Sequence, residues 1–515
     1  MRIVLRCDPS RLLRWNLWVA QSLAEMPGNE IFLSFATRRR PLPPPCRLLV
    51  EFERLIFDSR GDGATDPVED QLRMFPPHLV GEIDVLVDFS GEGILPAAGR
   101  VLTPSFNGVP GEVGTMAALA GDQELLVELY DTARPAEPWR AHPASADREL
   151  FSASLDGVLA CAAELIAKAI RVGFRGASSP DLPLPRGRTS PALSVLCFAH
   201  AARMSARKAA KLLDALLRRG RSWAIGWRLD ETASLLDKGE AAFQILTGGS
   251  ESYVADPFPF RHQAQNYIFL ELVPYASNRG CIAVATVERN GKVSTPHIVL
   301  EEPHHLSYPF VFEHSGEIWM IPESGESRSV YLYKAEPFPY RWTRVACLAE
   351  GLEAYDVTPL FQRDKLWFFA SLRSWKSTSW DMLGLYRAEG LTKPWRAHFK
   401  NPVTIDAGCS RPAGALFQRG EWLLRPVQDC TRFYGGGLTF FRVDALNNLT
   451  FEQTPVGRIV AGTSGCHTYN RHHGLEVIDL FGRSRAGQEI SIAYQPTNPT
   501  LKGRQHSGGQ LLVRS

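Results

Sequence analysis

One pattern recurs five times between residues 223 and 480 of this 515-residue chain, and it restricts the fold more than any single motif does. Each copy opens on a polar or aromatic residue, runs through a short apolar strand, turns, and returns along a second apolar strand that ends in another polar residue. The copies read ADPFPFRHQAQNYIFLE (255–271), SYPFVFEHSGEIWMIPE (307–323), YDVTPLFQRDKLWFFAS (355–371), SRPAGALFQRGEWLLRPVQD (410–429) and CHTYNRHHGLEVIDL (466–480). Their opening residues, Asp256, Tyr308, Asp356, Arg411 and His467, follow one another at roughly fifty-residue steps. Behind four of the hairpins comes a further apolar strand: GCIAVATVER (280–289), SVYLYKA (329–335), MLGLYRA (382–388) and LTFFRVDAL (438–446). A repeat of about fifty residues with some three to four antiparallel strands is blade-sized, and radial repetition of such sheets predicts an all-β five-bladed β-propeller over residues 222–482. The fifth copy is short of outer strands, and SWAIGWRL (222–229) is expected to close the ring against it.

In an antiparallel hairpin the residue that opens the first strand and the residue that ends the second lie at the same end. The repeat therefore brings Asp256 with Glu271, Tyr308 with Glu323, Asp356 with Ser371, Arg411 with Gln428 and Asp429, and His467 with Asp479 to one rim. Carboxylates crowded together cost energy unless a ligand, a proton or a cation compensates them, which marks a polar binding site. Each residue also has a structural reading: Asp256-Pro257 is a common turn dipeptide, Glu323 caps a hairpin, and Arg411 pairs with Asp356 or Asp429. Two carboxyl groups across a channel are what glycoside cleavage requires. In a catalytic version Asp256 is the expected base or nucleophile and Glu323 the proton donor, with Asp356 and Arg411 tuning the charge. Tyr308, Arg411, Gln428, Asp429, Tyr434 and His467 are the expected substrate-binding residues. The adjacent pairs His304-His305 and His472-His473 point to opposite faces of a strand, so no metal site and no cofactor are expected.

The amino-terminal third has a different period. RIVLRC (2–7) reads as a strand, RLLRWNLWVAQSLAEM (11–26) as a helix and EIFLSFA (30–36) as a second strand, a parallel crossover of ordinary length. EIDVLVDFSG (82–91) and ELLVELYD (124–131) read as further strands, and residues 150–174 as a helix leaving the sheet. The turn after the first strand, Cys7-Asp8-Pro9-Ser10-Arg11, lacks the glycines of a dinucleotide site. The expected organisation is a Rossmann-like α/β domain over 1–176, a linker and amphipathic helix over 177–221, the propeller, and a tail over 483–515.

Charge narrows the partners. Lys+Arg 57 against Asp+Glu 55 leaves +2, too little to hold a nucleic acid or an acidic membrane by its field. The nine cysteines are scattered singly with no C-x-x-C, which points to a reducing compartment. No run reaches the ~18 apolar residues of a transmembrane helix, and MRIVLRCDPSRLLRW lacks the apolar core of a secretory signal, so a cytoplasmic protein is expected.

Two resemblances add to this reading. The strand–helix–strand layout, then DVLVDFSG (84–91) and TPSFNGVPGEVGTMAALAGD (103–122), resembles the amino-terminal domain of formyltransferases of the methionyl-tRNA and sugar-nucleotide type. Asn107 and Gly108 match part of the family's catalytic loop, whereas no histidine stands between His78 and His142, so the resemblance implies a degenerate formyltransferase-like domain. The runs HLSYPFVFEHSGEIWMIPES (305–324), SVYLYKAEPFPYRW (329–342), KPWRAHFKNPV (393–403), SRPAG (410–414), RPVQDCTRFYGGGL (425–438) and GCHTYNRHHGLEVID (465–479) together resemble the propeller domain of glucosamine inositolphosphorylceramide transferases. In that family sugar transfer is carried by a separate carboxy-terminal domain. Ala255-Asp256-Pro257 is also similar to the element that carries the base or nucleophile in five-bladed arabinanases, xylosidases and fructosidases. Those glycosidases offer an Asp and then a Glu, while here Glu323 precedes Asp356. The resemblances imply a carbohydrate-active protein of surface-polysaccharide or glycolipid metabolism. Its partners would be a sugar, sugar nucleotide or glycolipid, together with polysaccharide-biosynthesis enzymes. A non-catalytic glycan-binding scaffold and a formyltransferase-like enzyme stand as alternatives.

Overall fold

The computed structural model describes residues 1–57, 62–92, 95–135, 137–145, 150–173, 193–216, 222–288, 291–362 and 365–497. The amino-terminal third is an α/β unit. β1 (Arg2–Cys7) pairs in parallel with β2 (Glu30–Phe35) on one side and β3 (Val85–Asp88) on the other, and β4 (Arg100–Phe106) runs parallel to β3. Strands Val127–Asp131 and Trp139–Ala141 extend the sheet in antiparallel pairing. Ile3, Val4 and Leu5 form an unbroken apolar run because both faces of β1 are covered. The crossover helix α1 (Arg14–Ala24) buries Trp15, Trp18 and Leu23. Helix Phe151–Val172 is apolar over most of its surface because it lies inside one core that also takes in the sheet and Met382 and Ile405 of the β region.

Two expectations for this part change in detail, and a third falls outside the described residues. The linker expected at the start of 177–221 falls on residues up to 192 that lie outside the described ones. The amphipathic helix expected within 177–221 is observed as Leu193–Leu216. The Asn107 amide donates to the Glu124 carbonyl at 2.7 Å and accepts from the Leu126 N–H at 3.3 Å, so it fastens a turn.

From residue 222 the regular structure is mainly antiparallel sheet. The first sheet holds Ser252–His262, Gln265–Pro274, Cys281–Val287 and His297–Leu300, in that spatial order. The second holds Ser307–His314, Glu317–Glu323, Ser329–Ala335 and Trp342–Glu350, and the third begins with Ala354–Gln362, Lys365–Leu372 and Met382–Ala388. A nine-stranded sheet contains the last two groups. One runs Phe417–Arg419, Trp422–Gln428, Leu438–Leu446, Phe451–Val460; the other runs Tyr469–His472, Leu475–Gly482, Ser222–Leu229, Glu240–Leu246. Residues 222–229 do pair with the second strand of the fifth hairpin, with Ile225 opposite Asp479.

Glu489–Pro496 corrects the expected tail. It is a strand, paired with Phe451–Val460 on one side and Glu240–Leu246 on the other, and so joins the last two groups. Its alternation shows why: Ile492 and Tyr494 face the core while Gln495 and Ser491 do not. The first strand of each group is a sheet edge, and Pro257, Pro309 and Pro359 sit on those edges, where a missing N–H breaks no ladder.

Candidate functional site

The side chains that open the first three repeats are aimed by a shared backbone device. Pairing between the first two strands slips between Ala255 and Phe258, between Ser307 and Phe310, and between Tyr355 and Thr358. Inside the slips Asp256, Tyr308 and Asp356 take φ of 48°, 44° and 51°. This left-handed conformation costs a non-glycine residue about 1–2 kcal/mol. A bulge of this kind re-aims a side chain that would otherwise follow the pleat. Its recurrence at equivalent positions is strain concentrated at one place in the fold. The hairpin partners are consequently one residue off the simple expectation: Ala255 lies opposite Glu271, Ser307 opposite Glu323 and Tyr355 opposite Ser371.

The five repeats meet in one bonded network. Asp256 accepts from the Tyr308 N–H at 3.2 Å and from the Thr468 hydroxyl at 2.7 Å, while its own N–H donates to Asp479 at 3.2 Å. Tyr308 is joined through its hydroxyl to Thr358 at 2.9 Å and accepts there from the Gly414 N–H at 2.7 Å. Arg411 donates to Asp356 at 2.6 Å and lies 3.6 Å from Glu323, and Gln428 donates to Asp356 at 3.1 Å. His467 stands between Asp479 at 2.6 Å and Asp256 at 3.3 Å. Asp256, Asp356, Arg411, Gln428 and His467 are all buried.

Burial and neighbouring charge set the protons. Desolvation acts to raise the Asp256 pKa, but the charge of His467 and the hydrogen bonds from His467 and Thr468 outweigh it, and Asp256 is held below the usual carboxylate range. Desolvation raises Glu323 well above that range, and the charge of Asp356 adds to it. Asp356 is also raised by burial, against the pull of Arg411. Because Arg411 lies closer to Asp356, we assign the proton of this pair to Glu323. Burial acts to lower His467, yet the charges of Asp479 and Asp256 push it up to about 10. The surroundings thus bias Asp256 toward the anion and Glu323 toward the acid, beside the Arg411 and His467 cations.

Most of the residues expected from sequence come together here, Tyr434 among them, and two, Asp429 and Tyr308, are turned to other partners. Tyr434 lies beside the cluster, its ring 4.9 Å from the Arg411 guanidinium carbon and 5.0 Å from His467. Asp429 turns its carboxylate back on Thr431, accepting from its N–H at 3.1 Å and its hydroxyl at 2.6 Å. The Tyr308 hydroxyl is saturated by Gly414 and Thr358. Sequence reasoning missed Trp223, whose ring packs 4.0 Å from His467, because it stands on the closure strand outside the repeats. It also missed the pairing of His305 with Glu271 at 2.8 Å, for which the histidine doublet was the available signal.

Asp256, His467 and Asp479 bring metal-ligand atoms within 4.8 Å of one another. Their present contacts are those of an ion-paired triad: Asp479 accepts from the N–H groups of His467 and Thr468 at 2.8 and 2.9 Å, and charged His467 fills the place a cation would take.

Residues 241–487 match the family model Glucosamine inositolphosphorylceramide transferase 1, N-terminal. The resemblance carried by the motifs is therefore shown. The glucosamine inositolphosphorylceramide transferase 1 of Oryza sativa subsp. japonica is 30% identical over 252 residues, covering 45% of this chain and 32% of the relative. That of Arabidopsis thaliana is 28% identical over 244 residues, covering 45% and 31%. This chain spans about a third of the length of these relatives. Among solved structures, Zg3597, a family 117 glycoside hydrolase of Zobellia galactanivorans, aligns with a TM-score of 0.34 at 13% identity over 52% of this chain and 95% of its own. RS223-Beta-xylosidase aligns with a TM-score of 0.36 at 10% identity over 49% and 94%.

Proposed function

We propose that the five strand groups form the blades of a five-bladed β-propeller, and that the central cluster binds a glycan and acts on a glycosidic bond. Asp256 is the base or nucleophile, Glu323 the proton donor, and Arg411 and Asp356 hold the charge balance between them. One observation carries this reading: two carboxyl groups in one buried network are driven in opposite directions, Asp256 toward the anion and Glu323 toward the acid. That is how a site assigns acid and base roles. Tyr434, Trp380 and Trp223 supply partly exposed aromatic faces beside it. The substrate class is a sugar, sugar nucleotide or glycolipid, in line with the name of the matching family. All nine cysteines stand as thiols, which supports a reducing, cytoplasmic setting. Among the described residues no helix is long and apolar enough to cross a membrane.

The test is incubation of the wild type, Asp256→Asn and Glu323→Gln with a glycan library, with product masses read over time. Each substitution should lower turnover at least ~100-fold, the scale of a lost acid or base. Wild-type rates in both variants would remove the reading.

A second reading, a non-catalytic glycan-binding scaffold, is favoured by the engagement of both Asp256 oxygens with protein donors. On that reading the same library gives bound masses and no new products.

A further inference from the structure

An open cleft lies where the amino-terminal unit meets the third repeat. It holds about 600 Å³, and its walls mix the polar Asn29, Glu164 and Arg171 with the apolar Met26, Ile170 and Trp375. Trp375 is the unusual member. It belongs to the loop between Lys365–Leu372 and Met382–Ala388, takes a left-handed φ of 52°, and stacks on buried Trp18 with ring centroids 5.7 Å apart and planes 14° from parallel. The Glu164 carboxyl bonds with both Ser374 and Trp375, and burial raises its pKa. One indole face is thus fixed against Trp18, while Trp375 as a residue remains 37% exposed at the wall of the cleft.

A strained, pinned and half-bare tryptophan is poor design for a domain contact alone, since a glycine there would carry no backbone strain. It is good design for a flat apolar surface ringed by hydrogen-bonding groups. We propose that this cleft is a carbohydrate subsite in which a pyranose ring lies on Trp375 and its hydroxyls bond Glu164, Arg171 and Asn29. A cleft of this volume is in the range of small-molecule sites. The same loop leads to the central cluster: Ser379 accepts from Arg411 at 2.9 Å and Trp380 packs beside Tyr434. Five residues of chain span at most about 18 Å, so the two places are within reach of one short oligosaccharide. The choice of sugar as ligand rests on the glycan reading of the central cluster; the cleft and its pinned indole do not.

The experiment measures binding of xylotriose, maltotriose and chitotriose to the full chain by saturation-transfer NMR and calorimetry, in the wild type and in Trp375→Gly, Trp375→Phe, Glu164→Gln and Asp256→Asn. Glycine accepts the left-handed backbone, so Trp375→Gly is expected to fold, melting below the wild type because the stack on Trp18 is lost, and its binding is read well below its own melting temperature. The expected result is saturation transfer to one face of a sugar ring, about tenfold weaker binding in Trp375→Gly, and a smaller loss in Trp375→Phe, the scale of one aromatic contact. Glu164→Gln should weaken binding without altering the melt. Wild-type affinity in Trp375→Gly, or no saturable binding of any of the three sugars, overturns the subsite. Binding lost in Asp256→Asn and kept in Trp375→Gly also overturns it and leaves the central reading standing. Loss in Trp375→Gly with binding and turnover untouched in Asp256→Asn sustains the subsite and removes the central reading.

Discussion

Arg411 donates from Nε to Asp356 Oδ2 at 2.6 Å, and the two side chains are 5% and 2% exposed. Each charge has given up its hydration to sit there, a penalty of several kcal/mol per ion, and each is tolerable only in the presence of the other. The pair also ties the third repeat to the fourth, because Asp356 opens one and Arg411 the other. Arg411 reaches on to Glu323 of the second repeat. A single guanidinium therefore couples the charge state of three strand groups.

Arg411→Met leaves Asp356 buried without its cation. The expected loss is about 3–5 kcal/mol, the scale of breaking one side of a buried pair, read from the midpoint of urea unfolding. The double variant Arg411→Met with Asp356→Leu should recover most of it. If the single variant unfolds at the wild-type midpoint, the pair is not holding the repeats together.

Tyr308→Phe separates support from contact. The substitution removes the acceptor for the Gly414 N–H and the partner of Thr358. An unsatisfied buried donor costs about 1–3 kcal/mol, so the urea midpoint should fall while glycan affinity stays within experimental error of wild type. A loss of affinity with unchanged stability would return Tyr308 to the substrate-binding set.

The contact between the amino-terminal unit and the β region should weaken as pH rises. Asp381 accepts from the Ala144 N–H at 3.2 Å, and burial pushes its pKa up from 3.8 to about 7. Its folded-state pKa exceeds the unfolded one, so the stability it contributes is complete below about pH 4 and lost by about pH 7. His142 faces Asp406 at 2.7 Å, and its hydrogen bond to that carboxylate raises it above 6.5. The sign is the same: the pair contributes below pH 6.5 and fades as pH climbs through the raised value. Thermal melts should therefore fall from pH 5 to pH 8 by about 2 °C or more. Asp381→Asn should flatten the lower part of that window and His142→Gln the upper part; equal slopes in all three proteins would show that neither group is the source.

What the sequence could show and what it could not divide along physical lines. The hairpins were legible because a strand keeps its alternation in the letters, and a series of like units repeats it. Asp256, Asp356, Arg411 and His467 were legible as a set for the same reason. The left-handed turn at Asp256, Tyr308 and Asp356 was not, since only Pro257 and Pro309 hint at it and Val357 does not. Directions of proton affinity were equally hidden: Asp256 and Glu323 are both carboxylates in the letters, and only His467 beside one and Asp356 beside the other separate them. The stack of Trp18 on Trp375 joins two units with different periods, and no local pattern encodes it. Glu489–Pro496 alternates plainly, but it follows the last repeat and so reads as surplus.

That strand and its counterpart at the other end give the last prediction. The segment matched by the family model, 241–487, excludes both Ser222–Leu229 and Glu489–Pro496. Ser222–Leu229 pairs along its full length with Leu475–Gly482, supplies Ala224, Ile225 and Trp227 to two cores, and places Trp223 against His467. Glu489–Pro496 seals the gap between Phe451–Val460 and Glu240–Leu246 and adds Ile492 and Tyr494 to one of those cores. A fragment cut at 241–487 would expose long edges of the last two groups, which invite pairing between molecules. It is expected to aggregate or to melt without a cooperative transition, whereas a fragment of 222–497 keeps the ladder and melts as a unit. The check is size-exclusion chromatography and a thermal melt of both fragments beside the full chain. A monomeric 241–487 fragment melting with 222–497 would mean that the five hairpins close without their terminal strands.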